Sequence, residues 1–230
     1  MLLSIGEFMA KRTLLSWSTG KDSAYALSVL RQTAGIKVEG LFTTVNQTHG
    51  RVAMHAVSET LLDLQAQATG LPLRKLEIPY PCSNEEYETV MGAFVNEARD
   101  QGTECMAFGD VFLEDIRKYR EEKLGSTGIT PLFPLWGLET DQLAKDMIDK
   151  GFRMIITCVD PRYVPRSFVG RQFDECFLKD LPTHADPCGE KGEFHSFVYD
   201  GPIFEKPLNV KADEIVERDG FVFADVILRG

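Results

Sequence analysis

Short apolar segments alternate with longer amphipathic segments along much of the chain. The short segments predict strands at 12–17, 37–45, 71–78, 104–109 and 152–159. The longer segments repeat apolar residues every three or four positions, and they predict helices at 21–33, 51–70, 84–102 and 138–151. Ser83 or Asn84 is placed to cap the third helix. Nearly continuous apolar strands that alternate with helices are typical of a parallel sheet covered on both faces.

The pattern changes after Pro161, where charged segments are interrupted by prolines. Strand-like runs then follow at 194–199, 207–217 and 221–228. We therefore expect an α/β fold with a twisted parallel sheet and helices on both faces over 9–160. A smaller C-terminal α+β lobe is expected over 161–230, packed on the carboxyl side of the sheet.

Composition and charge narrow the functional classes. The 230 residues carry a formal net charge of −10, which argues against a general nucleic-acid surface because such a surface needs clustered Lys and Arg. The five cysteines, at 82, 105, 158, 176 and 188, form no C-x-x-C pair and fit reduced thiols in the cytoplasm. No apolar run approaches the roughly 20 residues of a membrane span. The N-terminus is too short for a signal peptide, and a start at Met9 would make 1–8 an appendage.

The segment STGKDS joins the first predicted strand to the first predicted helix. The first N–H groups of a helix lack intrahelical acceptors, so a helix start favours an anion such as phosphate. Gly20 lets the backbone approach an oxygen, and Ser18 and Ser23 supply hydroxyl donors. Lys21 adds positive charge, whereas Asp22 fits a phosphate only if a divalent cation bridges the two. The alternative is an ordinary capped helix start with Lys and Asp in solvent.

Two better-known phosphate loops do not fit this segment. A Walker A loop would need Gly at Leu15 and Ser or Thr at Asp22. The dinucleotide-binding G-x-G-x-x-G is absent as well.

Further candidate residues follow the fourth predicted strand. Gly109 and Asp110 lie at its carboxyl end, which is where ligands bind in open α/β sheets. Arg117 belongs to a charged segment that could close over a nucleotide, or it could pair with Glu121 on a solvated helix. Trp136, in a loop bounded by Pro and Gly, is either a core residue or the wall of a pocket.

The strip GEKGEFHS, at 189–196, combines glycines, glutamates and a histidine. Glu190 and Glu193 could orient an amine nucleophile, accept its proton or take part in metal binding. His195 lies beside them. The alternative is a charged hairpin turn with Gly at the bends.

The segment STGKDS resembles the PP-loop, S-G-G-x-D-S, of the N-type ATP pyrophosphatases, which have the Rossmann-like adenine nucleotide α-hydrolase fold. With the P-L-W turn at 134–136, the V-G-R step that ends at Arg171, and GEKGEFHS followed by YDGPIF, the chain resembles the diphthine–ammonia ligase family. Thr19 stands where that family usually has Gly, so we expect no left-handed backbone there. Lys191 replaces a Gly and His195 a Glu, which is more like a bacterial branch with a different acceptor.

The resemblance implies that ATP is split into AMP and pyrophosphate with Mg²⁺, and that ammonia amidates an unidentified carboxylate acceptor. The implied catalytic residues are Lys21, Asp22, Glu190, Glu193 and His195, with Asp22 also holding the metal. The implied nucleotide-binding residues are Ser16, Ser18, Thr19, Gly20, Ser23, Phe42, Thr43, Thr44, Gly109, Asp110 and Trp136. The implied acceptor-binding residues are Arg117, Arg171, Gly189 and Gly192.

Other hypotheses remain at this point. A nucleotide-binding regulator without chemistry would share the fold, although it would have no need of Asp22 or of the Gly-Glu strip. A sulfur-transfer relative that modifies tRNA is disfavoured by the acidic charge and the absence of a catalytic Cys pair. A homodimer is possible through the strands of the C-terminal lobe.

Overall fold

The structure is a computed structural model that describes residues 10–46, 51–52 and 57–229, with only the backbone path given for 51–52. The appendage expected at 1–8 lies outside the described residues, as do positions 53–56 of the helix predicted at 51–70. Residues 51–52 of that predicted helix form a strand instead. Within the described ranges, no helix is both long and apolar enough to cross a membrane.

The predicted parallel sheet is confirmed. Its strands are β1 (Lys11–Ser16), β2 (Ile36–Asn46), β3 (Arg51–Val52), β4 (Leu73–Ile78), β5 (Cys105–Ala107) and β6 (Thr130–Leu132). The parallel strands are ordered β4-β2-β1-β5-β6, and the short β3 pairs antiparallel with the end of β2. Strand β6 is short and contains Pro131, and the apolar pattern did not predict it.

Helices cover both faces of this sheet. They are α1 (Lys21–Gln32), α2 (Glu59–Thr69), α3 (Asn84–Asp100), α4 (Glu114–Leu124) and α5 (Thr140–Asp149). Leu27 of α1, Leu62 of α2 and Leu143 of α5 are buried in one apolar cluster. Phe94 of α3 and Leu124 of α4 are buried in another. The connections through α1 and α2 run along the sheet from β1 to β2 to β4, whereas those through α3 and α4 run the other way, from β4 to β5 to β6. Right-handed crossovers in opposite directions place their helices on opposite faces of the sheet.

The C-terminal lobe is built on a second, antiparallel sheet. Its strands are β7 (Arg153–Val159), β8 (Phe194–Asp200), β9 (Val210–Arg218) and β10 (Phe221–Leu228), in the order β8-β7-β10-β9, and α6 (Glu175–Asp180) connects β7 to β8. The assignment of β7 to the parallel sheet is therefore wrong. A continuous apolar run predicts a buried strand but does not specify the sheet it joins. The division between 9–160 and 161–230 stays a prediction.

The strand order fixes where a site can form. Strand β1 lies between β2 and β5, so the chain leaves the carboxyl ends of β1 and β5 in opposite directions and opens a crevice there. The C-terminal lobe reaches this crevice, because the N–H of Val198 in β8 donates to the carbonyl oxygen of Thr19 at 3.1 Å. The lobe contacts the loop that follows β1, at the carboxyl side predicted from the sequence.

Candidate functional site

The loop between β1 and α1 contains a backbone conformation that the sequence did not predict. Thr19 has a φ of 70°, in the left-handed region, although we expected Thr at this position to exclude it. Its carbonyl oxygen accepts hydrogen bonds from the side-chain Nε2 of Gln65 at 3.0 Å and from the N–H of Val198 at 3.1 Å. Contacts from two other elements therefore hold a residue in a conformation that costs a non-glycine residue free energy.

The serines of the loop stabilise one another. The Ser23 hydroxyl donates to the carbonyl of Gly20 at 3.0 Å and lies 3.2 Å from the Ser18 hydroxyl. The N-cap of α1 is Gly20, so no side chain caps the helix. Lys21 is buried, and its N–H donates to the Ser196 hydroxyl of β8 at 3.2 Å. The alternative of a capped helix start with Lys in solvent is wrong.

Gly109 allows the end of β5 to approach this loop. A Cβ atom on Gly109 would lie 3.0 Å from the carbonyl carbon of Asp22 and 3.1 Å from the backbone N of Ser23. Only glycine therefore fits between β5 and the first turn of α1 without a shift of the backbone. Gly109 follows the carboxyl end of β5, as predicted, and its nucleotide-binding role stays a prediction.

The strip before β8 is a locally built turn. Glu193 is almost fully buried, and its carboxylate accepts the N–H groups of Asp186 at 2.9 Å and Lys191 at 2.8 Å. Asp186 in turn accepts the N–H of Cys188 at 2.8 Å and the Thr140 hydroxyl at 2.8 Å. The strip is therefore more than a solvated hairpin. The geometry of Glu193 indicates that it positions the turn, whereas its predicted catalytic role stays untested.

A cavity of about 450 Å³ lies between the loop and the strip. It is lined by Ser18, Gly20, Lys21, Asp22, Leu113, Gly189, Glu190, Lys191, Gly192, Phe194, His195 and Ser196. Two segments that lie far apart in the chain, and that the sequence analysis identified separately, thus meet around one space.

The charged side chains of this cavity lie close enough to form ion pairs. The Lys21 Nζ donates to both carboxylate oxygens of Asp22, at 2.8 and 2.7 Å, and lies 3.7 Å from a carboxylate oxygen of Glu190. Burial alone would lower the pKa of Lys21, but its neighbouring anionic groups, chiefly Asp22, raise it above its ordinary value. Lys21 is therefore a fixed cation in this site.

Burial disfavours the charged form of the two carboxylates beside Lys21. Burial, followed by the charge of Asp22, raises the pKa of Glu190 to about 8 in spite of Lys21. Burial also raises the pKa of Asp22, against the attraction of Lys21. The Asp22 side chain is 28% exposed and that of Glu190 only 9%. The buried Lys21 therefore lies beside two carboxylates, so the cavity can accommodate a further positive charge.

His195 faces the same cavity from β8. Burial, and then the nearby charge of Lys21, lowers the pKa of the imidazole to about 4. The ring is therefore neutral at pH 7, and it can act as a hydrogen-bonding group there but not as a cation.

Asp110, after β5, is neutralised by a residue outside the predicted set. The Arg120 Nε lies 2.7 Å from one carboxylate oxygen of Asp110, and the guanidinium carbon lies 4.0 Å from the centre of the Phe108 ring. Arg117, one turn earlier on α4, pairs with Glu121 at 2.7 Å. Its guanidinium carbon also lies 4.6 Å from the centre of the Trp136 ring. The helical alternative for this segment is correct, and neither Arg117 nor Trp136 lines the cavity.

The nucleotide-binding residues predicted on β1 and β2 lie side by side, at the carboxyl end of β1 and in the middle of β2. Ser16 pairs with Phe42 across these strands, and Thr43 and Thr44 follow along β2. The Phe42 ring belongs to the core, with its centre 5.1 Å from that of Phe94. Its carbonyl oxygen accepts the N–H of Trp17 at 2.8 Å. The predicted contact of these residues with the nucleotide stays a prediction.

Arg171 does not join the other predicted residues. Its guanidinium pairs with Asp180 at 2.9 Å and lies 4.6 Å from the centre of the Phe168 ring. It is not among the residues that line the cavity. The V-G-R step identifies an arginine at position 171 of the sequence. The side chain of this arginine pairs with Asp180 at the end of α6 and does not reach the cavity.

Sequence reasoning missed Gln65 and Ser196, which hold the loop from α2 and β8. Gln65 belongs to no local motif, and Ser196 ends the strip GEKGEFHS without any role having been assigned to it. The only available signal was a polar residue at a position where the helical period predicts burial. Among the described residues, no group of three or more His, Cys, Asp or Glu side chains has the arrangement of a metal site.

Fold and cavity together define an α/β protein with a charged pocket at the switch point of a parallel sheet. The chain belongs to the diphthamide synthase family: the model of the N-terminal domain matches residues 11–130, and the model of the C-terminal domain matches 139–225. The family predicted from the sequence is therefore confirmed.

The curated relatives agree with this assignment. The chain is 28% identical to diphthine–ammonia ligase of Homo sapiens, over 91% of this chain and 86% of the human protein. It is 27% identical to the ligase of the same name from Bos taurus, over 91% of this chain and 86% of that protein. Identity to the Danio rerio ligase is 26%, over 91% and 90% of the two chains. The name of these relatives supports the ligase class predicted from the sequence.

Proposed function

We propose that this protein is an ATP-dependent ligase that forms AMP and pyrophosphate and joins ammonia to a carboxylate acceptor. The observation that carries the proposal is the cavity, in which the loop at 18–23 faces the strip at 189–196. Family membership supports the same reaction class. The acceptor itself is left open, because Lys191 and His195 differ from the residues that the family pattern leads us to expect in the strip.

The helix start is the phosphate-binding part of the proposed site. The first N–H groups of α1 point out of the helix, and the helix dipole adds positive potential. Lys21 supplies a permanent positive charge at the same place. ATP phosphates would therefore lie against Ser18, Gly20 and Ser23, with the adenine toward the ends of β1 and β2.

The residues present fit a bound Mg²⁺. Mg²⁺ commonly uses one or two carboxylates together with phosphate oxygens, and Asp22 offers one carboxylate to the cavity. The raised pKa of Asp22 shows that the site accommodates its negative charge poorly without more positive charge. When bound, Mg²⁺ supplies charge neutralisation for the leaving pyrophosphate.

The proposed chemistry has two steps. A carboxylate oxygen of the acceptor attacks the α-phosphorus of ATP, the bond to the bridging oxygen breaks, and pyrophosphate leaves. Ammonia then attacks the acyl carbon of the resulting acyl-adenylate, a C–N bond forms, and the bond to AMP breaks. The nitrogen loses a proton in this second step, and Glu190, with a pKa of about 8, is matched to accept it.

The other residues of the strip would hold this arrangement. Glu193 fixes the turn that carries Glu190, and the neutral His195 offers a hydrogen bond to the acceptor or to ammonia. Lys191 is exposed at the cavity, where it would meet an acceptor carboxylate. Arg117 and Arg171, both engaged elsewhere, do not support the acceptor-binding roles first assigned to them.

The test is pyrophosphate release. The purified protein should bind ATP with MgCl₂ and should release AMP and pyrophosphate in equal amounts when ammonium and a panel of carboxylic acids are added. ATP binding without pyrophosphate from any acceptor, including a diphthine-containing protein, would favour the regulator. Failure to bind ATP at all would reject both functions.

Location and assembly are part of the proposal. All cysteines are free thiols within the described residues, which supports a cytoplasmic location. A homodimer remains a proposal, and light scattering of the purified protein would test it.

A further inference from the structure

Gln65 is a buried polar residue that connects three parts of the protein. It lies on α2 and is 0% exposed. Its Oε1 accepts the indole N–H of Trp17 at 2.7 Å. Its Nε2 donates to the carbonyl oxygens of Thr19 at 3.0 Å and Val198 at 2.6 Å. These contacts use both ends of the amide, so its orientation is fixed by the groups around it.

The acceptor at Thr19 is the left-handed residue of the phosphate loop. A threonine at a φ of 70° persists only where its surroundings over-determine the conformation. The Thr19 carbonyl accepts two hydrogen bonds, one from Gln65 and one from Val198, and neither donor residue lines the cavity. The left-handed turn, in return, sets the direction from which Gly20 and Lys21 enter α1.

We infer that Gln65 is a positioning residue for nucleotide binding, which holds Thr19 in its left-handed turn and ties the loop to β8. This inference rests on the proposed function, because it assumes that the loop binds the phosphates of ATP. It assigns to α2, which contributes no residue to the lining of the cavity, a direct effect on affinity for ATP.

Two substitutions of Gln65 separate its contacts. Gln65→Met keeps the approximate size but removes all the hydrogen bonds. Gln65→Glu keeps an acceptor for Trp17 but loses the donor to Thr19. Gln67→Met is the matched control, since Gln67 lies on the exposed side of the same helix. Isothermal titration with ATP and MgCl₂ should show about tenfold weaker binding for either Gln65 variant and no change for the control.

A substitution at Thr19 distinguishes the positioning role of Gln65 from a merely structural one. Glycine adopts a left-handed φ without strain, so a loop with Thr19→Gly needs less support from Gln65. In the T19G background, Gln65→Met should therefore weaken ATP binding by less than about threefold, compared with about tenfold in the parent. A simple packing defect would lower both affinities equally.

Three outcomes decide the matter. A smaller loss of ATP affinity on Gln65→Met in the T19G background than in the parent supports the inference. Melting temperatures are measured for every variant. Unchanged ATP affinity in a folded Q65M or Q65E, or an equal loss in both backgrounds, overturns the inference but leaves the proposed function intact. A parent protein that binds no ATP overturns both. If Q65M does not fold, Q65E and its T19G partner provide the same comparison.

Discussion

The two walls of the cavity are built in different ways. The loop wall at 18–23 is held by distant elements, because Gln65 of α2 and Ser196 and Val198 of β8 bond to its backbone. The strip wall is the turn at 186–193, which contains the first part of the strip and leads into β8. It is held mainly by its own carboxylates, which accept N–H groups a few residues away. A change in the loop wall can therefore originate far away in the chain, whereas a change in the strip wall should remain local.

The largest effect is expected from the exposed carboxylate of the loop wall. Asp22→Ala should lower pyrophosphate release by about 10³-fold, because it removes the group that would hold Mg²⁺ beside the leaving phosphates. The variant should stay folded but melt at a lower temperature, because the buried Lys21 loses the carboxylate that accepts both of its ammonium hydrogen bonds. Asp115→Ala is the control, another acidic residue in the first turn of a helix. Full turnover of D22A would reject the metal role of Asp22.

The next effect concerns the strip wall. Glu190→Gln should lower kcat by about 10²-fold, because it removes the proposed proton acceptor. In the parent, kcat measured at constant free ammonia should rise with pH through about 8, as Glu190 loses its proton, and E190Q should lack this rise. Glu122→Gln, on the exposed part of α4, is the control. A pH profile of the same shape in E190Q would exclude Glu190 as the base.

The ionisation of Glu190 also makes the stability of the folded protein depend on pH. The folded pKa of Glu190 is about 8, above its ordinary value of 4.5, so the folded state binds this proton more tightly than the unfolded chain. The contribution of Glu190 to stability is therefore fully present below pH 4.5 and is lost as the pH rises to about 8. Denaturation of E190Q and the parent at several pH values would show whether only the parent loses this contribution.

A smaller effect on chemistry, but a clear one on stability, is expected from Glu193. Glu193→Gln replaces one acceptor of a backbone N–H by a donor, which leaves a buried amide unpaired and costs about 1–3 kcal/mol in unfolding free energy. Urea denaturation would measure this loss. Because Gln65 and Val198 hold the backbone of the loop wall without Glu193, ATP affinity should remain close to that of the parent. A strong loss of ATP affinity would show that the two walls are coupled.

The smallest effect is expected from Lys191, which is exposed at the mouth of the cavity. Lys191→Gly restores the residue typical of the family. Expressed as a free energy, the resulting change in the KM for ATP should be less than about 1 kcal/mol. The same variant should alter the ranking of carboxylate acceptors, as measured by pyrophosphate release. An unchanged ranking would place acceptor selection elsewhere.

The sequence predicted the local elements well and the long-range contacts poorly. The cap at Ser83, the helix at 21–33 and the strip at 189–196 depend on neighbouring residues, so their patterns are visible in one stretch of chain. The sheet that β7 joins, the left-handed Thr19 and the direction of Arg171 depend on partners far away in the sequence. Single-sequence patterns carry no record of those partners.

The same distinction applies to the candidate site. Asp22 and Glu190 were recognised because each belongs to a short motif, and the structure brings them to one cavity. Gln65 belongs to no motif, because its effect is exerted through the backbone of Thr19. Residues that act in this way become visible only when the helix, the loop and the strand are seen together.

The bond from Val198 to Thr19 also has a consequence for biosynthesis. The loop at 18–23 leaves the ribosome well before the strand that supports it, because β8 lies far later in the chain. A nascent polypeptide halted before β8 would carry the complete STGKDS motif without that support. We therefore expect the ability to capture ATP to arise only after β8 has emerged.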